Sequence, residues 1–237
     1  MNDLNHLLDV QRHDTLADQL RHRRAVLPER AALVEATEQL AASERSLATV
    51  SSTRAALGSE QDRLEGDITH ARDRIKAVDA AMYGGGVTNA RELQALQDEI
   101  ASLNRRIGLL EDEEIGIMEQ LEPIDTSVAH ERAEIERLTA EIERLGTAIT
   151  TGEAEIDVEL DATQAERDAL ATGVPADLLA EYEQIRSQSG GVAVAELVAG
   201  QCGGCHMRLS SMELDRVKKQ PVDAIVHCEE CGRLLVR

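Results

Sequence analysis

From Leu93 to Ile156, large aliphatic side chains recur every seven residues on two interleaved rows. One row runs from Leu93 through Ile100 and Ile107 to Ile156, interrupted only by Glu114. The other runs from Leu96 through Leu103 and Leu110 to Gly152, with Glu131 as its other polar member. Sixteen of these nineteen positions are large aliphatics, and an unbroken seven-residue period of that length specifies a coiled coil. A second repeat precedes it, with rows Leu33 to Met82 and Ala36 to Val78. It is richer in alanine and polar residues, Arg54 and Gln61 among them, but keeps its register.

Between the repeats lies Met82-Tyr83-Gly84-Gly85-Gly86-Val87-Thr88-Asn89. Three glycines end a helix, and Thr88 or Asn89 can cap the next, with Glu92 placed for a capping box. The flanking arms are about equal, so the simplest fold is an antiparallel two-helix hairpin, each arm roughly 120 Å long at 1.5 Å per residue. Symmetric folding about the glycines pairs residues whose numbers add to about 171. Arg54 and Glu114 then fall in neighbouring layers and are expected to interact and fix the register; the alternative is that both side chains reach solvent past the seam. Pro28 and Pro123 are each expected to kink their arm, with residues 3–27 as a separate helical segment. Tyr83 is expected to pack over the first turn of the second arm; the alternative is display at the tip to a partner.

Composition supports a long-helix protein. The 237 residues include no Trp, no Phe and only two Tyr. That argues against folds that stack bases on aromatic platforms. The formal charge of −20 is uneven. Six basic residues (Arg208, Arg216, Lys218, Lys219, Arg233, Arg237) balance six acidic ones between Gly190 and Arg237, so the whole excess lies in residues 1–189. So acidic a stalk repels phosphate backbones along most of its length.

The four cysteines, Cys202, Cys205, Cys228 and Cys231, form two C-x-x-C pairs with 22 residues between Cys205 and Cys228. Each pair aims two thiolates at one point, and two pairs complete the tetrahedral sulfur site of structural Zn²⁺. Two disulfides, a redox pair, or haem attachment at Cys202-Gly203-Gly204-Cys205-His206 are the alternatives. The N-terminal residues alternate charge with leucine and show no signal peptide, which points to a reducing cytoplasm where paired C-x-x-C favours metal. A redox pair lacks its βαβ context, and haem attachment leaves the second pair unexplained. His206 and His227 flank the pairs, but four thiolates already fill the shell. No stretch has the length and apolarity of a membrane span.

After Pro175, residues Asp177–Ser187 read as a short amphipathic helix and Ser189-Gly190-Gly191 as a hinge. Val192–Val198 is β-prone. Ser210 to Glu213 is a capping box opening a helix to about Lys219. Gly232 permits a tight turn after Cys231, and Arg233–Arg237 returns as a strand. The expected organisation is therefore a mainly α protein: a coiled-coil hairpin over 1–174 with its tip at 83–88, a linker helix over 175–189, and a small β-rich zinc ribbon over 190–237. So small a ribbon is expected to need its metal to fold.

The Gly-rich tip, the segment V-T-N-x-x-E-L-x-A-L-x-x-E-I over Val87–Ile100, and C-x-x-C-H…C-x-x-C-G-R-L-L over Cys202–Leu235 together resemble the bacterial C4-type zinc-ribbon coiled-coil family. The resemblance covers essentially the whole chain. It implies that the four cysteines are zinc ligands. Family members are described as nucleic-acid-binding, and some resemble partners or chaperones of sigma factors and of flagellar or secretion machinery.

No catalytic constellation is visible: no G-x-S-x-G, no phosphate-binding loop before a helix, no H-E-x-x-H. The expectation is a non-enzymatic, zinc-dependent adaptor holding one structural Zn²⁺. An antiparallel hairpin returns Arg12, His13, Arg21, His22, Arg23 and Arg24 to the end from which the ribbon leaves. With Arg208, Arg216, Lys218, Lys219, Arg233 and Arg237 they can form one positive surface for nucleic acid, RNA or DNA, or for an acidic protein segment; the competing reading is that Arg21 to Arg24 form a solvated helix face balanced by Glu29, Asp18 and the second arm. The alternatives are a protein-assembly or chaperone factor without nucleic-acid affinity, and a C-x-x-C redox protein. The side surface of a two-helix hairpin also leaves room for self-association.

Overall fold

The computed structural model describes residues 3–85, 89–221 and 224–237. Among these residues it is mainly α, with five helices: α1 (Asp3–Ala25), α2 (Pro28–Tyr83), α3 (Ala90–Ala171), α4 (Ala176–Gln188) and α5 (Ser211–Lys219). Three short strands, β1 (Val194–Val198), β2 (Gln201–Cys202) and β3 (Leu234–Val236), form one sheet in the order β2-β1-β3. The helices α2 and α3 are the arms of a long hairpin, and the strands lie in the C-terminal zinc-ribbon region. No helix among the described residues is long and apolar enough to cross a membrane. Packing divides the chain into two compact units, Leu33–Arg144 and Met1–Ala32 with Leu145–Arg237.

Within Leu33–Arg144, burial follows the predicted rows. Ala36, Leu64, Ile68, Ala71 and Val78 of α2 and Ile107, Ile117, Val128 and Leu138 of α3 are buried, and every one lies on a seven-residue row. Ile68, Ala71 and Ile107 form the centre of one cluster, with Ile75, Leu103 and Leu110 against it. Two helices share only one seam, so other row positions remain half-exposed. Cross-arm polar contacts flank the seam: Ser46 Oγ donates to Glu131 (2.7 Å), and Arg72 and Arg74 pair with Glu111 and Glu99.

Two expectations are corrected here. Arg54 pairs with Asp125, eleven residues beyond Glu114. The arms are offset by about one heptad from symmetric folding about the glycines. Both side chains are half-exposed, so the pair reaches past the seam rather than sitting in it. Tyr83 does not pack over α3; it is 82% exposed. It directly follows the row position Met82 and so points away from the seam. Of the predicted tip, Gly86, Val87 and Thr88 lie outside the described residues. Asn89 caps α3, its Oδ1 accepting from the Arg91 N–H at 3.0 Å.

In the other unit, Pro28 separates rather than bends. α1 stops at Ala25 and α2 begins at Pro28 itself, the first helical position where a missing N–H costs nothing. Pro123 in the hairpin unit, by contrast, lies inside an uninterrupted α3. α1 buries Leu4, Leu7 and Val10 against Val174, Leu178 and Tyr182 and against Ala193, Val194, Leu234 and Val236. One apolar cluster thus joins α1, α4 and two ribbon strands. Each fully buried aliphatic side chain there contributes about 1.5–3 kcal/mol.

Candidate metal centre and the surface around it

The four cysteines converge. Their sulfurs all lie within 4.8 Å of one another, with Cys202–Cys231 and Cys205–Cys228 both at 3.9 Å. A tetrahedral Zn–S shell with bonds of about 2.3 Å has sulfur–sulfur edges of about 3.8 Å. The donor set therefore fits one structural Zn²⁺, held by four thiolates that leave no open position for catalysis.

The two pairs are built alike. In the first, the Cys202 N–H donates to Met207 O (3.0 Å) and the His206 N–H to Cys202 O (2.8 Å). In the second, the Cys228 N–H donates to Arg233 O (2.9 Å) and the Gly232 N–H to Cys228 O (2.8 Å). The fourth residue after the leading cysteine must be left-handed in both: His206 has φ 62° and Gly232 φ 72°. His206 in the C-x-x-C-H pattern is thus a turn residue. His227 also stands apart from the sulfurs, its Nε2 meeting Glu181 at 2.8 Å.

Without metal the thiols are unequal. Burial pushes Cys228 up to about 12. Burial also opposes ionisation of Cys231, but the backbone N–H and side chain of Arg233 outweigh it and lower the thiol to about 7. A bound Zn²⁺ deprotonates its thiols outright, so these differences belong to the metal-free quartet alone.

The ribbon core encloses the site. Cys202 and Cys228 are buried with Ala195, Leu209, Val217, Val226 and Leu235, and Cys205 and Cys231 pack at its edge. β1 pairs antiparallel with β2 at Leu197–Cys202 and parallel with β3 at Ala195–Leu235. The first cysteine is therefore fixed by strand register. Ser210 caps α5 by accepting from the Glu213 N–H (3.1 Å). The Glu213 carboxylate does not close the expected capping box; it accepts from the Glu229 N–H (3.3 Å) beside the second pair.

Arg233 ties the pieces together. Its guanidinium donates to Val192 O (2.9 Å) and Ser189 O (2.8 Å), pinning the Gly190-Gly191 segment expected to be a hinge. It lies over the first cysteine turn, where a Cβ on Gly204 would meet Arg233 Cδ at 2.5 Å. Only glycine permits that approach.

The candidate cations are mostly engaged within the chain. Arg12 pairs with Asp9, Arg21 with Asp18, Arg23 with Glu159, and Arg24 with Glu153 and Asp157. Arg216 meets Glu229. Arg237 donates to the carbonyls of Val217, Gln220 and Pro221, capping the end of α5. His13 faces Glu166. Among the described residues, Arg208, Lys218 and Lys219 have no ion-pair partner.

Two site residues escaped the sequence reading. Gln11 of α1 accepts from the Ala193 and Val194 N–H groups (both 2.7 Å) and donates to Val194 O (2.8 Å), continuing the ladder of β1 with a side chain. Asp14 is buried and accepts from the Tyr182 hydroxyl (2.7 Å) and Arg167 Nε (3.2 Å), with Arg186 beside it. Burial and then the Asp14 hydrogen bond raise the Tyr182 pKa, keeping the hydroxyl a donor. The available signal was spacing: Asp14 falls in step with buried Leu7, Val10 and Ala17.

A helical hairpin carrying a four-cysteine ribbon defines a class of metal-organised coiled-coil proteins. Residues 10–190 match the CT398-like coiled coil hairpin domain, and residues 201–235 match the C4-type zinc ribbon domain. The chain belongs to the CT398-like coiled-coil hairpin family. It is 29% identical over 238 residues to an uncharacterized protein of Mycobacterium tuberculosis, covering 98% of this chain and 94% of that one. Among solved structures, a protein of Mycobacterium smegmatis superposes with a TM-score of 0.84 at 24% identity, over 100% of both chains. CT398 from Chlamydia trachomatis superposes with a TM-score of 0.67 at 19% identity, over 99% of this chain and 97% of that one. These likenesses show the fold.

Proposed function

We propose that this protein is a non-enzymatic, zinc-dependent adaptor whose ribbon takes a protein partner. The observation that carries the reading is the engagement of the cations. Of the ten arginine and lysine candidates for a positive surface, seven already meet carboxylates or backbone carbonyls. A surface neutralised from within holds a phosphate backbone weakly. The same ribbon exposes Val198, Met207 and Met212, the last 81% exposed. Exposed methionine adapts to varied apolar partners. Closed sulfur coordination supports a structural role for the metal.

Arg208, Lys218 and Lys219 favour a second reading, in which the ribbon holds nucleic acid. A comparison of two variants of the zinc-loaded full chain separates the readings. Met207→Asp with Met212→Asp is expected to abolish partner recovery in pull-downs and leave any nucleic-acid shift unchanged. The triple change of Arg208, Lys218 and Lys219 to Ala is expected to spare the pull-down. If nucleic acid is the ligand, the triple variant loses binding, and log affinity of the parent falls with log salt at a slope of roughly −2 to −3. That result would replace the protein-partner reading.

A further inference from the structure

We propose that the hairpin unit associates with a second copy of itself, antiparallel, across α3 at Leu109. Leu109 is 66% exposed, one of several outward-facing aliphatics on α3 with Ile115 and Val158, while its neighbours Leu103 and Leu110 pack on the seam. At 100° per residue, Arg105, Arg106, Asp112, Glu113 and Gly116 all fall within about 60° of the Leu109 direction. They form one stripe on the flank of α3. The four charged residues on it are exposed.

The charges on this stripe are ordered by sign. Arg105 and Arg106 precede Leu109, and Asp112 and Glu113 follow it. Among the described residues none of the four has an ion-pair partner. Glu113 is felt only remotely by Arg63, whose direct partners are Glu60 and Asp67. Elsewhere on the hairpin, Arg54, Arg72, Arg74 and Arg137 are paired, while Arg45, Arg91 and Arg132 have no ion pair among the described residues, so it is the ordering of the charges about Leu109 that sets this stripe apart. A basic half, an apolar centre and an acidic half match their own reverse.

A two-fold axis through Leu109 brings that residue against itself. It lays Arg105 and Arg106 of each copy over Asp112 and Glu113 of the other. Ser102 comes opposite Gly116, where two small residues allow the backbones to approach. This is the self-complementarity of an isologous interface, made twice by one surface. Net charge does not favour the pairing, since both copies are acidic. The attraction is local, and it selects the antiparallel orientation over the parallel one, which would set arginine against arginine.

Sedimentation equilibrium of the zinc-loaded full chain tests this. The parent is expected to show a concentration-dependent dimer. Leu109→Glu sets two carboxylates face to face at the axis and is expected to weaken association at least about tenfold, with an unchanged helical circular dichroism signal. Arg105→Glu with Arg106→Glu is expected to abolish self-association, as is Asp112→Arg with Glu113→Arg. Mixing those two double variants is expected to restore a dimer containing one of each. A parent that stays monomeric to about 0.1 mM, a Leu109→Glu protein that dimerises as well as the parent, or charge variants that fail to rescue one another would each overturn the proposal.

Discussion

The two units of this protein are stabilised in different ways. In Leu33–Arg144 one packing solution repeats: an aliphatic layer, a turn of helix, another layer. Each layer contributes its own burial, and no single residue is indispensable. In the unit containing α1, α4 and the ribbon, each important contact occurs once. Gln11 extends one strand, Asp14 meets one tyrosine and two arginines, and one sulfur quartet organises one core. Repetition makes a unit tolerant, and singular contacts make it specific but breakable.

Metal removal gives the largest expected contrast. Chelation, or Cys228→Ser, leaves the ribbon core without the charge that holds four converging thiols together. Structural zinc sites contribute on the order of 10 kcal/mol to small domains. The expected outcome is loss of amide protection across β1, β2, α5 and β3, with helical circular dichroism nearly unchanged because α2 and α3 need no metal. Retention of ribbon protection after complete zinc removal, confirmed by metal analysis, would show that the apolar clusters alone fold it.

Next in size is Asp14→Ala. The carboxylate is buried, and Arg167 and Arg186 approach it from α3 and α4. Removing it strands two half-buried guanidinium groups and the Tyr182 hydroxyl. Loss of one partner of a buried pair costs about 3–5 kcal/mol. Here Glu183 and Asp18 still meet the two arginines, so about 2–3 kcal/mol is expected. Denaturant unfolding followed by the environment of Tyr182 measures it, and a loss below about 1 kcal/mol would show that the remaining carboxylates suffice.

The same division explains how far the sequence could be read. The hairpin was legible because period is a property of sequence: every buried residue of α2, and of α3 within the hairpin unit, sits on a row read from spacing alone. The metal site was legible because C-x-x-C fixes geometry within four residues. What stayed hidden depends on contacts remote in sequence. Nothing local to Arg54 marks Asp125 as its partner, since a heptad offset preserves the pattern while changing every cross-arm neighbour. Nothing local to Gln11 says that its amide meets β1, some 183 residues away. Spacing near Arg21 shows Asp18, but it does not single out which carboxylates of α3 meet Arg23 and Arg24, since Glu153, Asp157 and Glu159 lie far away in sequence.

The smallest predicted effect tests the likeness of the two cysteine turns. His206 and Gly232 occupy the same position in them, both left-handed, with the same pair of backbone hydrogen bonds. A side chain in that conformation carries roughly 1–2 kcal/mol of strain, which glycine lacks. Glycine in turn loses more backbone freedom on folding, worth about 0.4–1 kcal/mol. His206→Gly is therefore expected to stabilise the zinc-bound ribbon by less than about 1 kcal/mol, and Gly232→Ala to destabilise it by about 1 kcal/mol. Competition against a chromophoric chelator reads both as opposite shifts in zinc affinity. Were His206→Gly to weaken binding instead, the imidazole would be contributing to the site, and the two turns would be alike in backbone only.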